Sequence, residues 1–368
     1  MSRTGITWVR GRLAAALVVT LTLAVASVSS SGADAAQTGA AVHARTAGGP
    51  QRDGRILYVN FGNGQLDTSN PDGTAVVQVT HTPDLFAQQP RWLPPNDSSI
   101  VFVGNRGGAF ALYTVNADGT GQHRLFTDRP GFNAFTPAPT SDGRRVLFGR
   151  CRPDPPGGCG LFSVRLDGSG LRALTPYVRH GGDFWPSVAP GGHRVAFTRF
   201  GGHGINVQTW VMRLDGTHAH PITPPWLEAA RPRWLPGGRS LLVTSFWAHQ
   251  GENIYRMRAD GSHRQRLTTT RFPHNSAAAT PSPSGRRIAF ADDRAYPDLA
   301  GIDLFVMRSD GSREHRISSG SFFDPDWGSA PLLPARASTP RRRLAPALSP
   351  RQRAAAVHQL ERWLPAHG

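Results

Sequence analysis

Along residues 51–331 short apolar runs alternate with Gly, Pro and Asp clusters in a set that keeps returning. One member is a Pro-bounded stretch, a polar turn and an apolar strand, as in "QPRWLPPNDSSIVFVG", "FTPAPTSDGRRVLFGR", "FWPSVAPGGHRVAFTR", "RPRWLPGGRSLLVTS" and "ATPSPSGRRIAFAD". The next is a strand, an Asp-Gly pair and a further strand, as in "LYTVNADGTGQHRLFT", "LFSVRLDGSGLRALT", "WVMRLDGTHAHPIT", "IYRMRADGSHRQRLT" and "LFVMRSDGSREHRIS". With the weaker "SNPDGTAVVQVT", the turn residues are Asp72, Asp118, Asp167, Asp215, Asp260 and Asp310, spaced by 46, 49, 48, 45 and 50. Such a period marks a repeat architecture.

Asp-Gly between two alternating runs predicts a hairpin of type I′, with positive φ at both central residues. Before each hairpin stands a run such as Arg287 to Phe290, and before that a short Pro-bounded strand. Four strands per unit make a propeller blade. The first unit opens at "QRDGRILYVNFG" with no Pro-bounded strand ahead of it, and its "GQLDTSN" reads as a poor strand. The final "FFDPDWGSAP" is an opening without a sequel, and its Pro325 and Trp327 match Pro90 and Trp92, or Pro232 and Trp234. The expected fold is therefore all-β, a six-bladed propeller of four-stranded blades, closed by the C-terminal strand joining the N-terminal blade.

The pattern Pro-x-Trp-x-Pro-x-Gly, apolar strand, Asp-Gly-Ser/Thr, Leu-Thr resembles the TolB-like six-bladed propellers over about residues 52 to 329, most fully at 231 to 268. Trp gives way to Pro139, Val188 and Pro281 elsewhere. The resemblance implies the fold and a habit of protein association at the cell envelope. It implies no catalytic residue.

The ends differ in character. Arg3, Arg10 and Arg12, the apolar run Leu13 to Val28 and "ADAAQ" read as a secretory signal over residues 1–35, cut after Ala35. A transmembrane anchor is the competing reading, but the run falls short of the ~20 residues a span needs. Residues 36–51 read as a linker, 52–330 as the propeller and 331–368 as a basic Pro/Arg-rich tail with a short helix at 349–364. The expected location is secreted or extracytoplasmic. In an oxidising compartment Cys151 and Cys159, the only cysteines, are expected to form a disulfide across "RPDPPGG", since a thiolate metal site would need more ligands.

Formal charge is +16 and every basic side chain besides His is Arg, because the chain holds no Lys. Seven Arg and one Glu place +6 on residues 331 to 368. This tail is either disordered or a contact for an anionic envelope polymer or lipid headgroups. Nucleic acid is not an expected partner, because no aromatic stripe is interleaved with the Arg residues. A monomer binding a protein or anionic envelope polymer is expected.

Catalytic signatures are missing: no G-x-S-x-G elbow, no H-E-x-x-H and no phosphate loop occur. Inner strands line a propeller channel, and repeat alignment puts Arg91, Ala138, Ser187, Arg233, Thr280 and Asp326 at equivalent positions there. Arg91 and Arg233 are expected to face each other unpaired, with Asp326 too far from Arg233 to neutralise both, giving a mouth that takes carboxylates. Incoming linkers add His81, Gln88, Asn133, His180, Asp183, Glu228 and His274, which lie out of register, so no metal and no cofactor is assigned. Asp292 and Asp293, near Asp298 and Asp303, suit a Ca²⁺ or solvated loop better than paired acid/base work, since adjacent strand residues face opposite ways. The ligand-binding set at the mouth is thus Arg91, Arg233, Asp326, Thr280, Ser187, His180, Asp183, Glu228 and His274, in a non-catalytic binding module. The alternative is a polysaccharide lyase or glycoside hydrolase. Secreted protein should begin near Ala36, and an intact mass that still includes residues 1–35 would refute the export signal.

Overall fold

The computed structural model describes residues 52–334 except 107–108, 154–156, 179, 202–205, 246–250 and 297–300. The expected signal, the linker to Gln51 and the helix at 349–364 lie outside these residues, as does Asp298. Among them the chain is all-β, with one 3₁₀ turn at Pro225–Leu227, in a propeller-like arrangement of four-stranded sheets. No helix among the described residues is long and apolar enough to cross a membrane.

Each unit runs outward from an inner strand: Phe86–Trp92, Asn133–Pro139, Gly182–Val188, Ala229–Trp234 and Ser276–Pro281 for the second to sixth units. The first unit takes its inner strand from the other end of the chain. Phe322–Trp327 pairs antiparallel with Ile56–Asn60, in the register Ile56 to Trp327 and Asn60 to Phe322. Gly54 makes this possible: a Cβ there would lie 2.1 Å from the Ala330 carbonyl oxygen, and the Trp327 indole donates to the Gly54 carbonyl at 2.9 Å. The stretch 65–69, expected to be a poor strand, is a fully buried one, because Asn60 donates to Asp67 at 2.8 Å and the Thr80 hydroxyl accepts from the Leu66 N–H at 2.9 Å.

The expectation of separate four-stranded blades needs one correction. Four sheets have four strands, but the third and fourth units share one sheet of eight, joined by the parallel bridge of Cys159 to Gly182. The cause is local: Cys159 donates its N–H to Gly181 at 3.2 Å and accepts from Val178 at 3.2 Å, so the strand edge reaches the incoming linker. Cys159 is also the cross-strand partner of Cys151, to which it is disulfide-bonded as expected.

The Asp-Gly turns are not type I′. Only the glycine of each pair has positive φ, from +80° at Gly168 to +92° at Gly216. Gly73 donates to the Asn70 carbonyl and Asn70 to the Thr74 carbonyl, both at 2.9 Å, and the other five turns repeat this. That is the three-residue loop with a glycine bulge. Asp won its place through its side chain: Asp72 Oδ1 accepts from the Thr74 N–H at 2.9 Å and hydroxyl at 2.6 Å. These hydrogen bonds hold the Asp72 carboxyl below the usual range.

Apolar packing lies between sheets, not at a centre. Leu57, Leu66, Trp92 and Phe102 join the first and second units; Val103, Leu112, Val146 and Phe148 the second and third. Leu147, Leu161, Val195 and Phe197 join the third and fourth, and Val211, Leu227, Trp234 and Leu241 the fourth and fifth. Leu242, Ile254, Phe290 and Phe305 join the fifth and sixth, while Tyr58, Ala289, Val306 and Trp327 join the sixth to the first. Both faces of every sheet are thus covered, which is why middle strands read as unbroken apolar runs.

Residues 331–334 are less separate from the propeller than the sequence implies, since Leu333 exchanges hydrogen bonds with the Asn70 side chain at 2.8 and 3.2 Å. Deleting 322–368 should abolish a cooperative melting transition, since loss of buried Trp327 alone costs about 3–5 kcal/mol. Deleting 335–368 should leave Tm within about 2 °C; equal melting of the two truncations would contradict closure by the C-terminal strand.

Candidate functional site

The inner strands carry a feature the repeats did not announce. At the residue before the Pro position the backbone turns left-handed in every unit: Gln89, Thr136, Trp185, Arg231, Ala278 and Asp324 have φ between +48° and +54°. Pairing with the neighbouring strand slips at the same place, for example between Ala230 and Arg233. This is a β-bulge, and Pro sits in it because Pro has no N–H to give a ladder. In three units the bulge residue turns its backbone N–H to the preceding unit. Thr136 donates to Gln89 Oε1 at 2.7 Å, Trp185 to Thr136 Oγ1 at 3.0 Å and Arg231 to Thr198 Oγ1 at 3.0 Å.

On the axis the charges are mostly matched. Arg233 Nη2 lies 2.8 Å from Asp326 Oδ1, and Asp326 Oδ2 accepts from the Trp92 N–H at 2.8 Å. The expected separation of Arg233 from Asp326 is therefore wrong, and so is the picture of two unpaired guanidiniums. The bulge is the reason, because it brings Asp324 and Asp326 to the axis together. Arg231 pairs with Asp324 at 3.3 Å. Arg91 is 8 % exposed and donates to the Pro90 carbonyl at 2.6 Å. Burial, then the charge of Arg233, push its pKa down to about 10. The cavity there is small, about 20 Å³.

The other candidates are spread out. Ser187 is a strut: its Oγ accepts from the Trp234 N–H at 3.2 Å and its carbonyl from the indole at 3.0 Å. Thr280 is buried within its strand. Asp183 is fully buried and held by Arg199 through two bonds of 2.7 Å. His180 is exposed, Glu228 is half-buried with its pKa raised by burial, and His274 Nδ1 stands 3.5 Å from Asp293. Asp292 is bound to Arg294 and Asp303 to Arg316, at 2.6 and 3.1 Å, so the acidic run is structural. Among the described residues no group of three or more His, Cys, Asp or Glu is placed to hold a metal ion.

Three things were missed. Arg231 and Asp324 reach the axis with Arg233 and Asp326 because the bulge breaks the two-residue alternation there, and the repeat pattern did not announce the bulge. Glu252 is 7 % exposed, and burial drives its pKa up to about 7, with Arg231 opposing and Asp293 adding to the rise. The third is a cleft of about 770 Å³ between the third and fourth units, beside the Asp-Gly turns. Arg145, Arg172, Arg194, Arg213, His193, His218 and His220 line it against a single carboxylate, Asp215, over a floor that includes Leu147, Val211 and Met212. Burial and the charges of Arg165 and Arg172 depress the Arg145 pKa. The sequence signal was "GGHRV" and "RLDGTHAH" at equivalent turns of one unit.

Radiating four-stranded sheets with their inner strands on one axis define a β-propeller, and this one is TolB-like. The chain is 32% identical over 155 residues to the Tol-Pal system protein TolB of Anaeromyxobacter sp. (strain K), a match covering 42% of this chain and 31% of that one. It thus spans about a third of the length of the curated relatives it matches. The structure is similar to TolB from Acinetobacter baumannii, with a TM-score of 0.61 and 19% identity over 74% of this chain and 66% of that one. It is also similar to an oligogalacturonate lyase in complex with manganese, with a TM-score of 0.51 and 16% identity over 69% and 70% of the two chains. Likenesses this low in identity carry the fold alone. No family model matches the chain.

Glu252 generates a test. Between about 4.5 and 7 the folded chain keeps a proton on Glu252 that the unfolded chain has released. Stability from this group is therefore full below its ordinary pKa and is lost as pH rises through about 7. Glu252→Gln should flatten the pH dependence of Tm over that window by on the order of 5 °C relative to wild type; superimposable profiles would show that the carboxyl is ionised throughout.

Proposed function

We propose that this chain is an exported, six-bladed propeller, the eight-stranded sheet counting as two blades, which acts outside the cytoplasm as a non-catalytic binding module for an acidic segment of a partner protein. The observation that carries this is the cleft between the third and fourth units, lined by four Arg and three His side chains and one carboxylate, with Arg145 bound to Ser163 and Gly170 and Arg194 to Gly238. Arg there suits carboxylates, which it can grip through two parallel hydrogen bonds. The apolar floor suits a protein segment better than a bare sugar acid chain. The similarity to TolB of the Tol-Pal system supports a protein partner, and the disulfide and the N-terminal signal support export. The narrow axis, with Arg233 paired to Asp326, speaks against an acidic protein segment being gripped by Arg91 and Arg233 together.

The test begins with capture from envelope and extracellular fractions at low salt. Arg172 and Arg213 are exposed. The double change Arg172→Ala with Arg213→Ala should leave Tm within about 2 °C and weaken binding of the captured protein at least tenfold, as loss of two charge-assisted contacts of roughly 1.5 kcal/mol or more implies. Unchanged affinity would remove the cleft from the site. Retention of an anionic polymer in place of any protein would replace the partner.

A further inference from the structure

The axis holds three guanidiniums, Arg91, Arg231 and Arg233, and two carboxylates, Asp324 and Asp326. Two of the three are matched, Arg231 to Asp324 and Arg233 to Asp326. Arg91 has no ion-pair partner among the described residues, and Glu252, the buried carboxyl whose charge acts on Arg231, keeps its proton below about pH 7, so in that range three positive charges less two negative leave a buried excess of one. Arg91, Trp185, Arg231 and Asp324 are among the residues lining the cavity of about 20 Å³. Three of their buried N–H groups, Arg91 Nε, Arg231 Nε and Trp185 Nε1, have no hydrogen-bond acceptor. Buried donors are normally satisfied, and a buried charge is normally paired.

We infer that this cavity is a binding site for one small monovalent anion of halide size. The volume suits a small species, about the size of a water molecule. A cation is excluded by the excess charge and by the donor-only N–H groups. Water is the weaker occupant, because it leaves the Arg91 charge unmatched and must place two protons of its own. Asp324 also lines the space, but it is engaged by Arg231, and its charge is already counted in the balance. Arg91, Trp185 and Arg231 belong to the second, fourth and fifth units, so an anion among them would tie together inner strands distant in sequence. The site is separate from the Arg- and His-lined cleft, so the two readings stand or fall independently.

The experiment uses the full mature chain at constant ionic strength, with chloride or bromide replacing gluconate. Tm should rise by about 3 °C for each tenfold increase in halide above its Kd. The rise should vanish in Arg91→Leu and persist in Arg172→Ala with Arg213→Ala. Should Arg91→Leu fail to fold, Trp185→Phe removes one donor and keeps the ring, and it should weaken the halide response about fivefold. Crystals grown in bromide should show an anomalous peak in the cavity, within hydrogen-bond reach of Arg91 Nε. A wild-type Tm that is the same in gluconate and chloride, or bromide peaks confined to the outer surface, would overturn the assignment.

Discussion

No sheet in this protein can bury its own apolar surface. Middle strands such as Ile100–Val103 and Val146–Phe148 are buried on both sides, and each side needs a neighbouring sheet. A linear array would leave two faces wet, one on the first unit and one on the sixth. Joining Phe322–Trp327 to Ile56–Asn60 lets Tyr58 and Trp327 pack against Ala289 and Val306, so those two faces cover each other. The split repeat, the close approach at Gly54 and the paired termini are consequences of that single demand.

Closing sheets around an axis crowds the inner strands, and the bulges answer that crowding. Six left-handed residues at equivalent places bulge the inner strands, and three of them turn a spare N–H toward the neighbouring unit. The charged side chains two residues apart then meet across the axis, where most of them neutralise one another. The centre is better understood as a polar seam between sheets than as an open passage for ligands.

Much of this was legible in sequence. The repeat length, the four-strand unit, the completing role of Pro325 and Trp327 and the disulfide all followed from local pattern, because each depends on residues close in sequence or on a repeated motif. The turn type was misread because Asp-Gly suits two loops, and the hydroxyl two residues after each Asp favours the longer one. Pairing of Arg233 with Asp326 could not be read, since it depends on how six bulges set the radius of the axis. The cleft was missed for a related reason: its Arg and His residues come from two units, and each alone resembles a solvated turn.

The bridge from Cys159 to Gly182 makes the third and fourth units one sheet, and the parallel bridge of Ile302 to Ser321 ties the sixth unit to the first in a similar way. Mechanically, the third and fourth units form a welded pair, with a second weld where the ring closes. The cleft lies between the same two units at the Asp-Gly end of their strands, opposite the bridge, so its two walls belong to one sheet. A guest held between such walls gives up little extra freedom of its host, and the affinity lost to ordering is correspondingly small. The disulfide beside the weld thus braces the far end of the strands whose Asp-Gly end forms the groove.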